Sequence, residues 1–98
     1  MALLSDAQIE QRLQASAWRR EGETIVRDFE LADFAAAIAL VDRVAEAAEA
    51  ANHHPDILVH GWNKLRLTLS THSEGGLTSA DFDLASTLDG LREDPSDG

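Results

Sequence analysis

The alanine-rich stretch from Asp33 to Asn52, closed by His53-His54-Pro55, does most to limit the folds open to this chain. Asp33 is a suitable N-cap, and the alanines give high helix propensity, so one long helix is expected to run to about Asn52. Phe34, Ile38, Val41, Val44 or Ala45, and Ala48 form its apolar stripe, while Arg43, Glu46 and Glu49 fall elsewhere. A helix this slim lets a sheet or a second copy of the chain approach closely. Pro55 disfavours helical geometry at His54, so His54 should be extended while His53 stays on the last turn. The two imidazoles then leave the chain in different directions and can line two walls of one pocket. Glu49, one turn before His53, is placed to pair with it, and the helix C-terminus favours a cation.

The segments on either side alternate as strands do. Lys64 to Ser70 is the clearest case, part of a strand expected over Trp62–His72. Leu65, Leu67 and Leu69 point one way, Lys64, Arg66, Thr68 and Ser70 the other, and His72 continues the polar side. Asp56–His60 reads as its hairpin partner, with Gly61 at a turn or bulge. Thr24–Leu31 is a second strand, preceded by Gly22 in a turn and by Trp18, so residues 17 to 31 form another hairpin. A first helix is expected over residues 5 to 16, capped by Ser5 or Asp6 and carrying Ile9 and Leu13. A last one runs from the Thr78 cap to about Leu91 with Phe82, Ala85 and Leu88 apolar. Residues 92–98 read as a frayed tail. The order is α-β-β-α-β-β-α, which predicts a single α+β domain over residues 1–98. Its natural form is a four-stranded antiparallel sheet with three helices on one face.

Composition narrows the functions. A net charge of −10, with Arg19-Arg20 an isolated basic pair, argues against nucleic acid and anionic membranes as partners. No apolar run approaches a membrane span, and the N-terminus lacks a signal-peptide pattern, so a cytoplasmic location is expected. With no cysteine, disulfides, thiolate metal sites and thiol catalysis are excluded.

Three readings compete for His53, His54 and His72. The histidine pair can simply cap helix carbonyls; the three can hold zinc; or they can perform metal-free acid–base catalysis from differing environments. Adjacent histidines seldom share one metal, which weighs against zinc. Trp18 and Trp62 suit a small core better than ligand stacking. His60 reads as surface, Glu74 and the carboxylates of the tail as solvated charges, and Asp81 taken alone as a first-turn helix acid.

Read in order, Trp18, Glu49, His53-His54-Pro55, Trp62-Asn63-Lys64, Ser70-Thr71-His72, Gly76-Leu77-Thr78 and Asp81 resemble the signature of the pterin-4a-carbinolamine dehydratases over roughly Leu4 to Leu91. The resemblance implies a hydro-lyase that dehydrates 4a-hydroxytetrahydrobiopterin to quinonoid dihydrobiopterin. Such an enzyme recycles the cofactor of aromatic amino acid hydroxylases without metal or cofactor of its own. It implies His53, His54 and His72 as the catalytic imidazoles, with Glu49, Trp18, Pro55 and Asp81 binding substrate or shaping the pocket, and Trp18 as the aromatic for stacking. His53, supported by Glu49, and His72 are expected to handle the protons, with His54 orienting the pterin. It further implies a homodimer or homotetramer joined through the central helix. Some members serve instead as dimerisation cofactors or assembly aids, so a non-catalytic interaction module is the alternative. Two departures from the usual pattern are Asn52, where an aspartate or glycine is common, and a hairpin one residue longer around His60-Gly61.

Overall fold

The computed structural model describes residues 2–92. Its elements are α1 (Asp6–Leu13), β1 (Arg19–Glu21), β2 (Thr24–Glu30), α2 (Phe34–Ala51), β3 (Asp56–His60), β4 (Lys64–Leu69), a short 3-10 turn (His72–Glu74) and α3 (Ser79–Arg92). This is the expected α-β-β-α-β-β-α order. Of the tail expected over 92–98, Arg92 continues α3 and the remaining residues lie outside the described range.

The four strands form one antiparallel sheet in the order β1-β2-β4-β3. Register follows side-chain parity: Ile25, Arg27 and Phe29 stand opposite Leu69, Leu67 and Leu65. The three β4 leucines are fully buried, and with Ile25 and Phe29 they meet Ile9 of α1, Leu40 and Val44 of α2, and Leu84, Ala85 and Leu88 of α3 in one core. The opposite parity of the sheet is largely polar, apart from Val26 and Leu58, and carries the exposed Asp28–Arg66 pair. Helices therefore cover a single face.

Local chemistry sets the element ends. Ser5 and Gln8 form a reciprocal capping box, Gln8 N–H donating to Ser5 Oγ at 3.2 Å and Ser5 N–H to Gln8 Oε1 at 2.8 Å. The helix they start ends at Leu13, earlier than expected, because Ser16 N–H turns back to Leu13 O and Ser16 Oγ takes Trp18 N–H.

The apolar stripe of α2 differs from the expected one. Its core-facing row is Ala37, Leu40, Val44 and Ala48, whereas Phe34 is 55% and Ile38 38% exposed. Alanines at both ends of the buried row allow close approach to the core. The larger residues are left on the outside. Trp62 also departs from expectation: it is not a core residue but 63% exposed, with φ 63°, in the loop after Gly61 at φ 57°. These two left-handed residues make the tip of the β3–β4 hairpin, and the extra residue is absorbed there without disturbing the His60–Lys64 pairing.

Candidate active site

The histidine corner is built by the way α2 stops. Asn52 adopts the left-handed conformation (φ 52°, ψ 42°), and its N–H reaches Ala48 O and Glu49 O. His53 N–H then returns to Ala48 O at 3.1 Å. This is the wrapped C-terminus that Asn tolerates better than most side chains. It takes His53 off the helical row that would have placed it beside Glu49.

The expected Glu49–His53 pair is therefore replaced by two others. His54 Nε2 lies 2.5 Å from Glu49 Oε2, in an exposed pair. His53 Nε2 lies 2.6 Å from Oδ1 of Asp81, which has no exposed surface. Asp81 sits in the first turn of α3, and its Oδ2 accepts both the Thr78 N–H at 2.9 Å and the Thr71 hydroxyl at 2.8 Å. A carboxylate at this depth is costly unless its oxygens are satisfied, and here both are. Asp81 is thus more than a helix-dipole acid: it joins the end of α2 to the start of α3 through one imidazole.

The other expected site residues fall into two groups. Pro55 is half-buried and hands the chain from His54 to β3. The strand expected to carry His72 ends at Leu69, because Thr71 and Gly76 form an isolated antiparallel bridge that folds residues 72–75 into a turn. Alternation survives that break: Thr71 stays buried on the core side and donates to Asp81, and His72, next along the chain, emerges exposed. Trp18, by contrast, is in the core at 4% exposure, with its Nε1–H donated to Asp89 Oδ1 at 2.7 Å. Asp89 is two turns, about 12 Å, along α3 from Asp81. It also pairs with Arg27, whose guanidinium lies over Phe29. The indole N–H is engaged in this second network, and Trp18 lines a hollow of about 330 Å³ with Arg12, Phe82 and Asp89, separate from the one that His53 lines.

His53 also lines a hollow of about 280 Å³ with Ala51, Ala80, Asp83, Leu84 and Thr87, between the end of α2 and the start of α3. A roomier hollow of about 410 Å³, lined by Asp28, Glu30, His60, Lys64 and Arg66 among others, lies on the polar face of the sheet, away from the histidine corner. Volume favours the second. The chemistry of a buried Asp–His pair favours the first. Thr71, Thr78 and Asp83 were not singled out from sequence as site residues. The signals available were the Thr78-x-x-Asp81 spacing of a capping box and the places of Thr71 and Thr78 in the family signature.

Comparison with known proteins finds matches over nearly the whole chain. The family model described as pterin 4 alpha carbinolamine dehydratase matches residues 2–91. A protein of Roseiflexus castenholzii that bears the provisional name pterin-4-alpha-carbinolamine dehydratase is 54% identical over 90% of this chain and 95% of its own. One of Nocardia farcinica with the same provisional name is 57% identical over 91% and 94%. Among solved structures, a transcriptional coactivator/pterin dehydratase from Brucella melitensis superposes with a TM-score of 0.85 at 30% identity, covering 92% of this chain and 98% of that one. A pterin dehydratase-like protein identified as a RuBisCO assembly factor in the alpha-carboxysome gives a TM-score of 0.66 at 26% identity, over 76% and 88%.

Proposed function

The chain belongs to the pterin 4 alpha carbinolamine dehydratase family, and from that premise we propose that it is a hydro-lyase converting a 4a-hydroxytetrahydropterin to the quinonoid dihydropterin by histidine acid–base chemistry. The observation that carries the reading is the pair of neighbouring imidazoles held by different carboxylates, His53 by buried Asp81 and His54 by exposed Glu49.

The reaction makes two opposed demands. The C4a–O bond breaks and its electrons leave with the hydroxyl, which needs a proton to depart as water. The N5–H bond gives its electrons to a new N5=C4a bond and its proton to a base. Water and the quinonoid dihydropterin account for every atom. Two imidazoles in different settings can hold the acid and the base forms at one pH. In this proposal His53 and His72 exchange the protons, His54 orients the pterin, Glu49 and Asp81 position His54 and His53, and Pro55 shapes the corner. Recycling the tetrahydropterin of an aromatic amino acid hydroxylase would be the physiological role. The decisive experiment follows the decay of freshly generated 4a-hydroxytetrahydrobiopterin by absorbance, with and without the protein. No acceleration would refute catalysis.

The names of the two solved relatives include coactivation and assembly, and the exposed Phe34, Ile38 and Trp62 give this chain apolar surface for contacts. A non-catalytic protein-interaction role is therefore the second reading, whereas a homo-oligomer through α2 is compatible with either. Its signature is an inactive protein whose association state depends on Phe34 and Ile38.

A further inference from the structure

Hydrogen-bond directions around Asp81 can be assigned one after another. The Ala80 N–H reaches Thr78 Oγ1 at 3.3 Å, and the Thr78 and Thr71 hydroxyls are 2.8 Å apart in a fully enclosed site. Thr71 has one hydroxyl hydrogen and donates it to Asp81 Oδ2. The hydrogen between the two threonines must then come from Thr78. Oδ2 already accepts the Thr78 N–H as well, and a backbone amide can only donate. An ionised Asp81 accepts at Oδ1 as it does at Oδ2, and the hydrogen between Oδ1 and the ring then belongs to His53 Nε2.

We infer that Thr78 and Thr71 are positioning residues of a one-directional relay, Ala80 N–H to Thr78 to Thr71 to Asp81, that locks neutral His53 as its Nε2–H tautomer. Nδ1, which has no hydrogen-bond partner among the described residues, is left as the nitrogen that exchanges the proton with substrate. The relay deepens the dehydratase reading and rests on it for its consequence, though not for its geometry. It also accounts for two hydroxyls held beside the buried carboxylate: Thr78 is fully buried and Thr71 is 9% exposed. Without the relay, Asp81 could rotate or the imidazole could flip, and neither alternative leaves Nδ1 as the lone acceptor.

The test compares Thr71→Val, which keeps the shape and removes the hydroxyl, with Thr71→Ser, which restores it. Heteronuclear NMR of imidazole-labelled protein reads the His53 tautomer at a pH where the ring is neutral. Wild type and Thr71→Ser should show hydrogen on Nε2 alone, and Thr71→Val a mixture with Nδ1–H. In the dehydration assay Thr71→Val should lose between about 10- and 100-fold in kcat with little change in KM, as expected for a misplaced catalytic group, and Thr71→Ser should recover most of it. A melting curve for each variant separates this from unfolding. An unchanged tautomer in a folded Thr71→Val protein would overturn the relay. Absence of turnover in every protein, wild type included, would instead remove the dehydratase reading and leave the NMR result to decide the relay.

Discussion

His53 Nε2 lies 2.6 Å from Asp81 Oδ1 across 28 residues of sequence, and the carboxylate it meets has no exposed surface. Asp81 contacts the histidine corner, the segment leading to His72 and the cap of α3 together. Removing it should therefore affect stability and activity at once. Asp81→Ala strands the His53 ring, the Thr71 hydroxyl and the Thr78 N–H, and each buried orphan costs about 1–3 kcal/mol, less than additively. The expected loss is about 3–5 kcal/mol. Asp81→Asn keeps the shape and one acceptor oxygen and should lose about 1–2 kcal/mol. Urea unfolding at neutral pH measures both. A loss under about 0.5 kcal/mol for Asp81→Ala would show that the network is not native.

The three histidines should separate by role. His53→Ala and His72→Ala are expected to slow dehydration by at least about 100-fold, because in the proposed reaction each removes a proton-handling group. His54→Ala should slow it less, with the larger effect on KM. His54 and Glu49 form an exposed pair, so Glu49→Gln should leave stability within about 0.5 kcal/mol of wild type. Near-normal rates in folded His53→Ala and His72→Ala proteins would defeat this assignment.

Much of this arrangement was legible in the residues, and what was not has physical causes. The Leu65-Leu67-Leu69 alternation gave β4 and its buried face, and Asp33 marked the N-cap of α2. Chain propensity could not say which of two apolar rows on an alanine-rich helix meets the core: Phe34 and Ile38 of the expected row gave way to Ala37 and Leu40, while Val44 and Ala48 of that row are buried. The Glu49–His53 pairing failed for a backbone reason, since one left-handed residue at Asn52 reassigns every contact after it. Asp81 as the partner of His53 is a contact 28 residues away, and no local pattern announces it. Trp18 fitted the family signature by position, but its indole N–H is engaged by Asp89, a pairing that also depends on tertiary packing.

The polar face of the sheet gives a pH prediction with a definite sign. Asp28 lies between Arg66 and Arg19, and the hydrogen bond from Arg66 above all, joined by that from Arg19, holds its carboxyl below the ordinary value against the opposing effect of burial, which is second in size. A depressed native value means that the unfolded chain binds the proton more readily. The stabilisation is present above the unfolded carboxylate range, about pH 4, and disappears as pH falls through the lower native value. Asp28→Asn should melt below wild type at neutral pH, with the gap closing on acidification and narrowing in salt. A gap that widens as pH falls would contradict the assignment.

Trp62 supplies a test of backbone strain at the hairpin tip. It holds φ 63° while 63% exposed, so the loop imposes a left-handed conformation on a bulky side chain that recovers little by burial. That conformation costs a residue with a Cβ about 1–2 kcal/mol, and glycine escapes the cost. Alanine retains the Cβ and also discards whatever packing the indole has. Trp62→Gly should therefore be more stable than Trp62→Ala by about 1 kcal/mol, the reverse of their order at a position with negative φ, even though glycine pays more chain entropy on folding. Thermal melts of the two variants decide the matter. If alanine is the more stable, the tip does not hold residue 62 in the left-handed region in solution, and the exposed tryptophan then owes its orientation to something other than the loop.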